Sequence, residues 1–291
     1  METSAKKSQH IRCNSLPSSP HPVLSQFQDQ LQRLKDSEAT SISLSSSSIS
    51  QKLVGLLDLH DYADKLFQLP SIQQDFAQEW SDKCVDVLLE GSLTLLDIFS
   101  TAQGCLLQSK ESIHMVHSVI RRKGADTEFT VEGGKYLASR KKMKKAIQKA
   151  LRNLKGMKSE LMVSSSNNDN EALSIIGILK EAEAVTLRSL ESLLLFVSDS
   201  KGQSKQKRWS IIFKLMQPDR INCDSQEDAN EFVKMDTTLQ SLVTHKPLYV
   251  ENFHSHMENL EICIEDLEVA VEHLSRKLIK TRVSLLNIFS H

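Results

Sequence analysis

Proline and glycine are scarce in this 291-residue chain, numbering 6 and 9. Both residues punctuate regular structure, so their scarcity argues against a turn-rich β fold and for long helices. Aromatic residues reach only 5% against 40% hydrophobic residues overall, which suits a leucine-dominated helical interior better than a sandwich or barrel. No apolar run approaches the ~20 residues that span a bilayer. The densest, Leu193-Leu194-Leu195-Phe196-Val197, is closed by polar residues on both sides. The N-terminus is polar and basic with no apolar stretch behind it, so no secretory signal is expected. The cysteines at 13, 84, 105, 223 and 263 are odd in number, scattered and without a CxxC pair. That spacing argues against a disulfide framework or a zinc site and for a reducing compartment. The expectation is an intracellular protein, cytoplasmic or at the cytoplasmic face of a membrane, with the nucleus left open. Cys84, Cys105 and Cys263 sit in apolar helical patterns and read as small core residues.

Catalytic signatures are equally sparse. There is no GxSxG elbow and no GxGxxG or GxxxxGK[ST] phosphate loop. No enzyme activity and no cofactor are expected, because function must be argued from a site and none is visible. Glu111, His114 and His117 share one helical face, but the second carboxylate-histidine pair that a di-metal bundle needs is missing. His254 and His256 point to different faces of a helix. No metal is expected.

What is present is helical periodicity. Residues 1–50 read as a disordered Ser/Pro-rich tail with a short helix through Phe27, Leu31 and Leu34, closed by a serine linker that ends in an N-cap. Residues 51–291 read as one helical domain. Leu53, Leu56, Leu57, His60, Ala63 and Phe67 recur at helical spacing until Leu69-Pro70 stops them. A long segment opens at Ser71 and runs to Gly124, with Gly91 and Gly104 inside it, each marking close packing or a break. Further helices are expected over 134–161, 171–197, 209–216, 227–243 and 249–289. In the last, Leu260, Ile264, Leu267, Val271, Leu274 and Leu278 form a near-heptad, coiled-coil-like stripe. The predicted fold is an all-α, antiparallel, elongated bundle of five to seven helices.

Its sharpest chemical feature is the stretch from Gly133 to Ser159, which has no acidic residue and ten lysines and arginines. On a helix at ~100° per residue, Tyr136, Met143, Ile147, Ala150, Leu151 and Leu154 gather on one side and cations cover the rest. Arg140, Lys141, Lys142, Lys144, Lys145, Lys149 and Arg152 are the candidate contacts for an anionic partner. Four readings compete for the basic amphipathic helix 135–158. The bland one pairs it inside the bundle with the acidic flank Glu258, Glu261, Glu265, Glu268 and Glu272. The others are an anionic membrane surface with Met143 and Ile147 as shallow apolar contacts, a calmodulin-type groove, and nucleic acid. The single aromatic of the segment, Tyr136, argues against the last.

Two serines in the tail are candidate phosphorylation sites. Ser15 lies three residues after Arg12 and two before Pro17, a pattern read by basophilic kinases and 14-3-3-type receptors; Ser19-Pro20 is weaker.

Ordered blocks along the chain carry a resemblance. They are Arg12-Cys-Asn-Ser-Leu-Pro-Ser-Ser-Pro-His-Pro22, Gln30-Leu-Gln-Arg-Leu-Lys35, Leu59-His-Asp-Tyr62, Lys65-Leu-Phe-Gln-Leu-Pro70 and Leu89-Glu-Gly-Ser-Leu-Thr-Leu-Leu-Asp-Ile98. Tyr136-Leu-Ala-Ser-Arg-Lys-Lys-Met-Lys-Lys-Ala146 and Lys277-Leu-Ile-Lys-Thr-Arg-Val-Ser-Leu-Leu-Asn287 complete them, with His291 at the C-terminus. Together they resemble a plant-specific family known as domain of unknown function 241, or BYPASS-like. The resemblance implies a role in root and shoot development and carries no catalytic residue. The combined reading is a non-enzymatic regulatory or scaffold protein with protein partners; the alternative is a membrane-surface or calmodulin-type binding module.

Overall fold

The computed structural model describes residues 21–40, 45–79, 82–122, 126–164, 175–198, 229–244 and 250–289. They form α1 (Pro22–Thr40), α2 (Ser46–Phe67), α3 (Pro70–Glu79), α4 (Asp82–Arg121), α5 (Asp126–Ser164), α6 (Ile175–Ser198), α7 (Glu231–Thr244) and α8 (Val250–Phe289). No strand occurs among the described residues. The eight helices among the described residues exceed the expected five to seven because the segment from Ser71 divides into α3 and α4, and because α1 is a full 19-residue helix. Ser15, Ser19, Cys13, Cys223 and the helix expected over 209–216 lie outside the described residues.

Four helices surround the main core. α8 packs on both α2 and α4, and α6 packs on the same two from the other side. α8 runs antiparallel to α4, since Lys110 meets Glu268 while Arg282 meets Ser92. It runs alongside α2 in the same direction, with Lys277 on Asp61 and Lys280 on Asp64. α5 fills the groove between α4 and α6, and α1 covers α2 and α6. The longest helices, of 39 and 40 residues, extend ~60 Å at 1.5 Å per residue. The stripe from Leu260 to Leu278 is buried throughout.

α1 joins the core built by the helices that follow residue 51. Phe27, Leu31 and Leu34 are 0–5% exposed in the core, and α1 is tied down by Glu38–Arg188 at 2.6 Å and Lys35–Glu181 at 3.2 Å. Three apolar residues at i, i+4 and i+7 suffice to bury one face of a helix. α2 opens inside the serine run, where Ser45 caps it by accepting from the amide of Ser48.

Of the two interior glycines, one has a packing reason. A Cβ on Gly91 would stand 1.6 Å from Glu183 Oε1, so α4 leaves room there for a carboxyl of α6. Gly104 has no neighbour within 4 Å of such an atom, and α4 continues through it.

Candidate functional site

α6 and α7 lie end to end along α5, forming one column from two pieces. Gly133 of α5 packs against Val243 and Leu239 of α7, while Arg140 reaches both pieces. The end of α6 exposes carbonyls with no partner further along the helix, and the negative end of its dipole favours a cation. Arg140 supplies both needs. Its Nη2 donates to the Val197 carbonyl at 2.9 Å, and its Nε donates to Asp236 of α7 at 3.0 Å. The guanidinium also stacks on the Phe232 ring at 4.8 Å. Tyr136 donates to Asp236 at 3.2 Å and Lys144 pairs with it at 3.0 Å. Asn230 closes the joint, capping α7 by accepting from the Val233 amide and donating to the Phe196 carbonyl. Burial, then the charge of Asp236, pushes the Tyr136 phenol well above its usual range.

Arg140 is therefore not an outward contact for an anionic partner: it is 2% exposed. Lys144 is half-buried and committed to Asp236. The remaining candidates, Lys141, Lys142, Lys145, Lys149 and Arg152, are exposed, and Lys155 extends the row. Their helical angles lie opposite Tyr136, Met143, Ile147 and Leu154, so they make a positive strip ~20 Å long on the outer face of α5. None of them forms an ion pair with a described carboxylate; among the described residues Arg152 donates to the Gln148 carbonyl of its own helix.

The acidic flank of the last helix does not cover this strip. Glu268 and Glu265 pair with Lys110 at 2.9 and 3.7 Å, and Glu261 with His117 at 3.4 Å, all on α4. α8 lies against α4 and α2, and meets α5 at the edge-to-face pair Phe129–Phe253. The pairing inside the bundle is thus corrected: the flank's partners are the cation and imidazole nearest to it. Met143 and Ile147 are corrected as well. At 2% and 0% exposure they belong to the core, so neither shallow membrane insertion nor seating in a calmodulin-type groove is open to folded α5.

His117 Nδ1 lies 3.4 Å from Glu261 Oε1, and no cluster of three metal-capable side chains occurs among the described residues. A groove of about 410 Å³ lies where the N-termini of α2 and α7 meet α8, lined by Ser46, Glu231, Lys234, His256, Ile262 and Cys263 among others. Burial, with Glu231 and Asp266 nearby, pushes the Cys263 thiol up to about 12, which holds it protonated. Burial lowers His256, whose Nδ1 is bonded to Thr238 at 2.9 Å. The groove thus carries a neutral thiol and a committed imidazole, a poor start for nucleophilic chemistry.

The sequence model of the family described as Protein BPS1 matches residues 52–288. The chain belongs to the BPS1 family. This is the plant family of unknown function, domain 241 or BYPASS-like, whose blocks the sequence displays. The match spans α2 to α8, so both the α6–α7 joint and the strip on α5 lie inside the family's domain. No curated protein and no solved structure matches the chain.

Proposed function

We propose that this BPS1-family chain is a non-enzymatic scaffold in plant development that docks by electrostatics on an anionic membrane surface through the outer face of α5. The observation that carries the reading is the row Lys141, Lys142, Lys145, Lys149 and Arg152, exposed and unopposed by any described carboxylate. A row of separate cations spread along one exposed helix face suits a diffuse negative potential better than a shaped acidic ligand. Each cation near an anionic leaflet contributes ~1 kcal/mol. Five of them give an attachment in the range of ~0.1–1 mM, reversible and dependent on salt. No helix among the described residues is long and apolar enough to cross a membrane, so attachment of these residues would be peripheral.

The test is co-sedimentation of the full chain with phosphatidylserine-containing and purely phosphatidylcholine vesicles at low and high salt. The expected result is binding to the anionic vesicles only, lost at high salt. Charge reversal at Lys141, Lys142, Lys145 and Lys149, sparing Lys144 for Asp236, should weaken it at least ~10-fold, with circular dichroism unchanged. Equal binding to neutral vesicles, or undiminished binding by the folded reversed variant, overturns the reading.

A further inference from the structure

α8 carries a second stripe, on the face turned away from the core. Ile262, Val269, Ile279 and Val283 are 48–59% exposed there, and Leu286 is 40% exposed. Ile262, Val269 and Val283 fall on one heptad position, Ile279 and Leu286 on the other seam position. Charge divides along the same helix. From Val250 to Glu272 it has seven acidic residues and no lysine or arginine; from His273 to Phe289 it has Arg276, Lys277, Lys280 and Arg282 and no acid. Where the two halves join, Arg276 pairs with Glu272 at 2.5 Å, both on the outer side at 70% and 44% side-chain exposure.

We propose that a second copy of this chain covers the stripe, with the two α8 helices packed antiparallel about a two-fold axis near residue 274. In that register Val269 meets the partner's Ile279, Ile262 meets the partner's Leu286, and Val283 lies against the methylenes of the partner's Glu265. Arg276 meets the partner's Glu272. Antiparallel coiled coils pack one seam position against the other, as these pairs require. Each contact occurs twice, which is the property of a two-fold interface. The parallel arrangement is disfavoured by charge: it sets Glu258, Glu265 and Glu272 against their own copies at three successive layers, and like charges at such contacts repel. The seam from Ile262 to Leu286 is ~36 Å long. Its side chains lie outside the core, so they can be changed without disturbing the fold.

Sedimentation equilibrium of the full chain between ~1 and ~100 μM reads the proposal by mass action. Wild type is expected to populate a dimer. Val269→Glu with Ile279→Glu should be monomeric throughout. Arg276→Glu should raise the dissociation constant at least ~10-fold by facing the partner's Glu272 with a like charge, and adding Glu272→Arg to it should restore the dimer. A parallel seam would show no such rescue. A wild type that stays monomeric, a dimer indifferent to Val269→Glu with Ile279→Glu, or a reciprocal swap as weak as the single reversal overturns the proposal.

Discussion

Arg140→Ala is expected to lower the unfolding free energy by about 3–5 kcal/mol, the usual result of removing one partner from a buried ion pair. The substitution leaves Asp236 at 15% side-chain exposure with Lys144 and Tyr136. It also strands the Val197 carbonyl and uncovers the Phe232 ring. Arg140→Lys should recover only part of the loss, because one ammonium group lacks the fork that reaches carboxylate and carbonyl together. Urea denaturation followed by circular dichroism measures both. A loss below ~1 kcal/mol for the alanine variant would mean that the α6–α7 joint is held by the Phe196–Phe232 edge contact and the Asn230 cap alone.

The second large effect is a fall of stability with rising pH. Glu183 faces Gly91 with both carboxylate oxygens buried and without hydrogen bonds, and burial pushes its carboxyl up to about 8 from the ordinary 4.5. Between those values the folded chain keeps a proton that the unfolded chain releases. Stability therefore falls as pH rises, by up to ~1.4 kcal/mol per pH unit, and reaches its floor above about 8. His60 works in the opposite sense. Its ring sits against Thr186 at 3.3 Å, and burial lowers it to about 4 from 6.5. Thr186 already donates to the Ala182 carbonyl, so Nε2 of His60 is the donor to Thr186 and its Nδ1 is left unpartnered. Across 4 to 6.5 the unfolded chain takes up a proton that the folded chain refuses, so His60 makes stability rise with pH there. The two groups offset one another between 4.5 and 6.5, leaving a net decline from 6.5 to about 8. Thermal unfolding across that window should show the decline in wild type and not in Glu183→Gln. A variant that declines equally would clear Glu183 of responsibility. Gly91→Ala tests the same contact from α4. Its methyl should destabilise the native chain by displacing the carboxyl, yet stabilise a Glu183→Ala background by ~1 kcal/mol through helix propensity. Additive effects of the two changes would dismiss the contact.

Much of the architecture is legible from periodicity. The spacing of Leu260, Ile264, Leu267, Val271, Leu274 and Leu278 states which side of α8 is buried, and Tyr136, Met143, Ile147 and Leu154 do the same for α5. Periodicity cannot say which helix each stripe meets. Charge complementarity suggests that the acidic flank of α8 faces the cations of α5, but Lys110 and His117 stand closer on α4. Arg140 shows the other limit. It lies four residues after Tyr136, three before Met143 and seven before Ile147, the spacing of a core position, while its charge files it with its lysine neighbours. Weighting angle above charge would have found it. Nothing local announces that α6 ends where an arginine of another helix is waiting.

That splice bears on how the family's chains can vary in length. Because Asp236 and Asn230 set the position of α7 from within the joint, that position does not depend on the length of chain between Ser198 and Asn230. Lengthening such a segment twofold changes the closure entropy by only ~0.6 kcal/mol. Insertions and deletions should therefore collect between the two half-columns, where evolution can edit the polypeptide without re-cutting the timber around it.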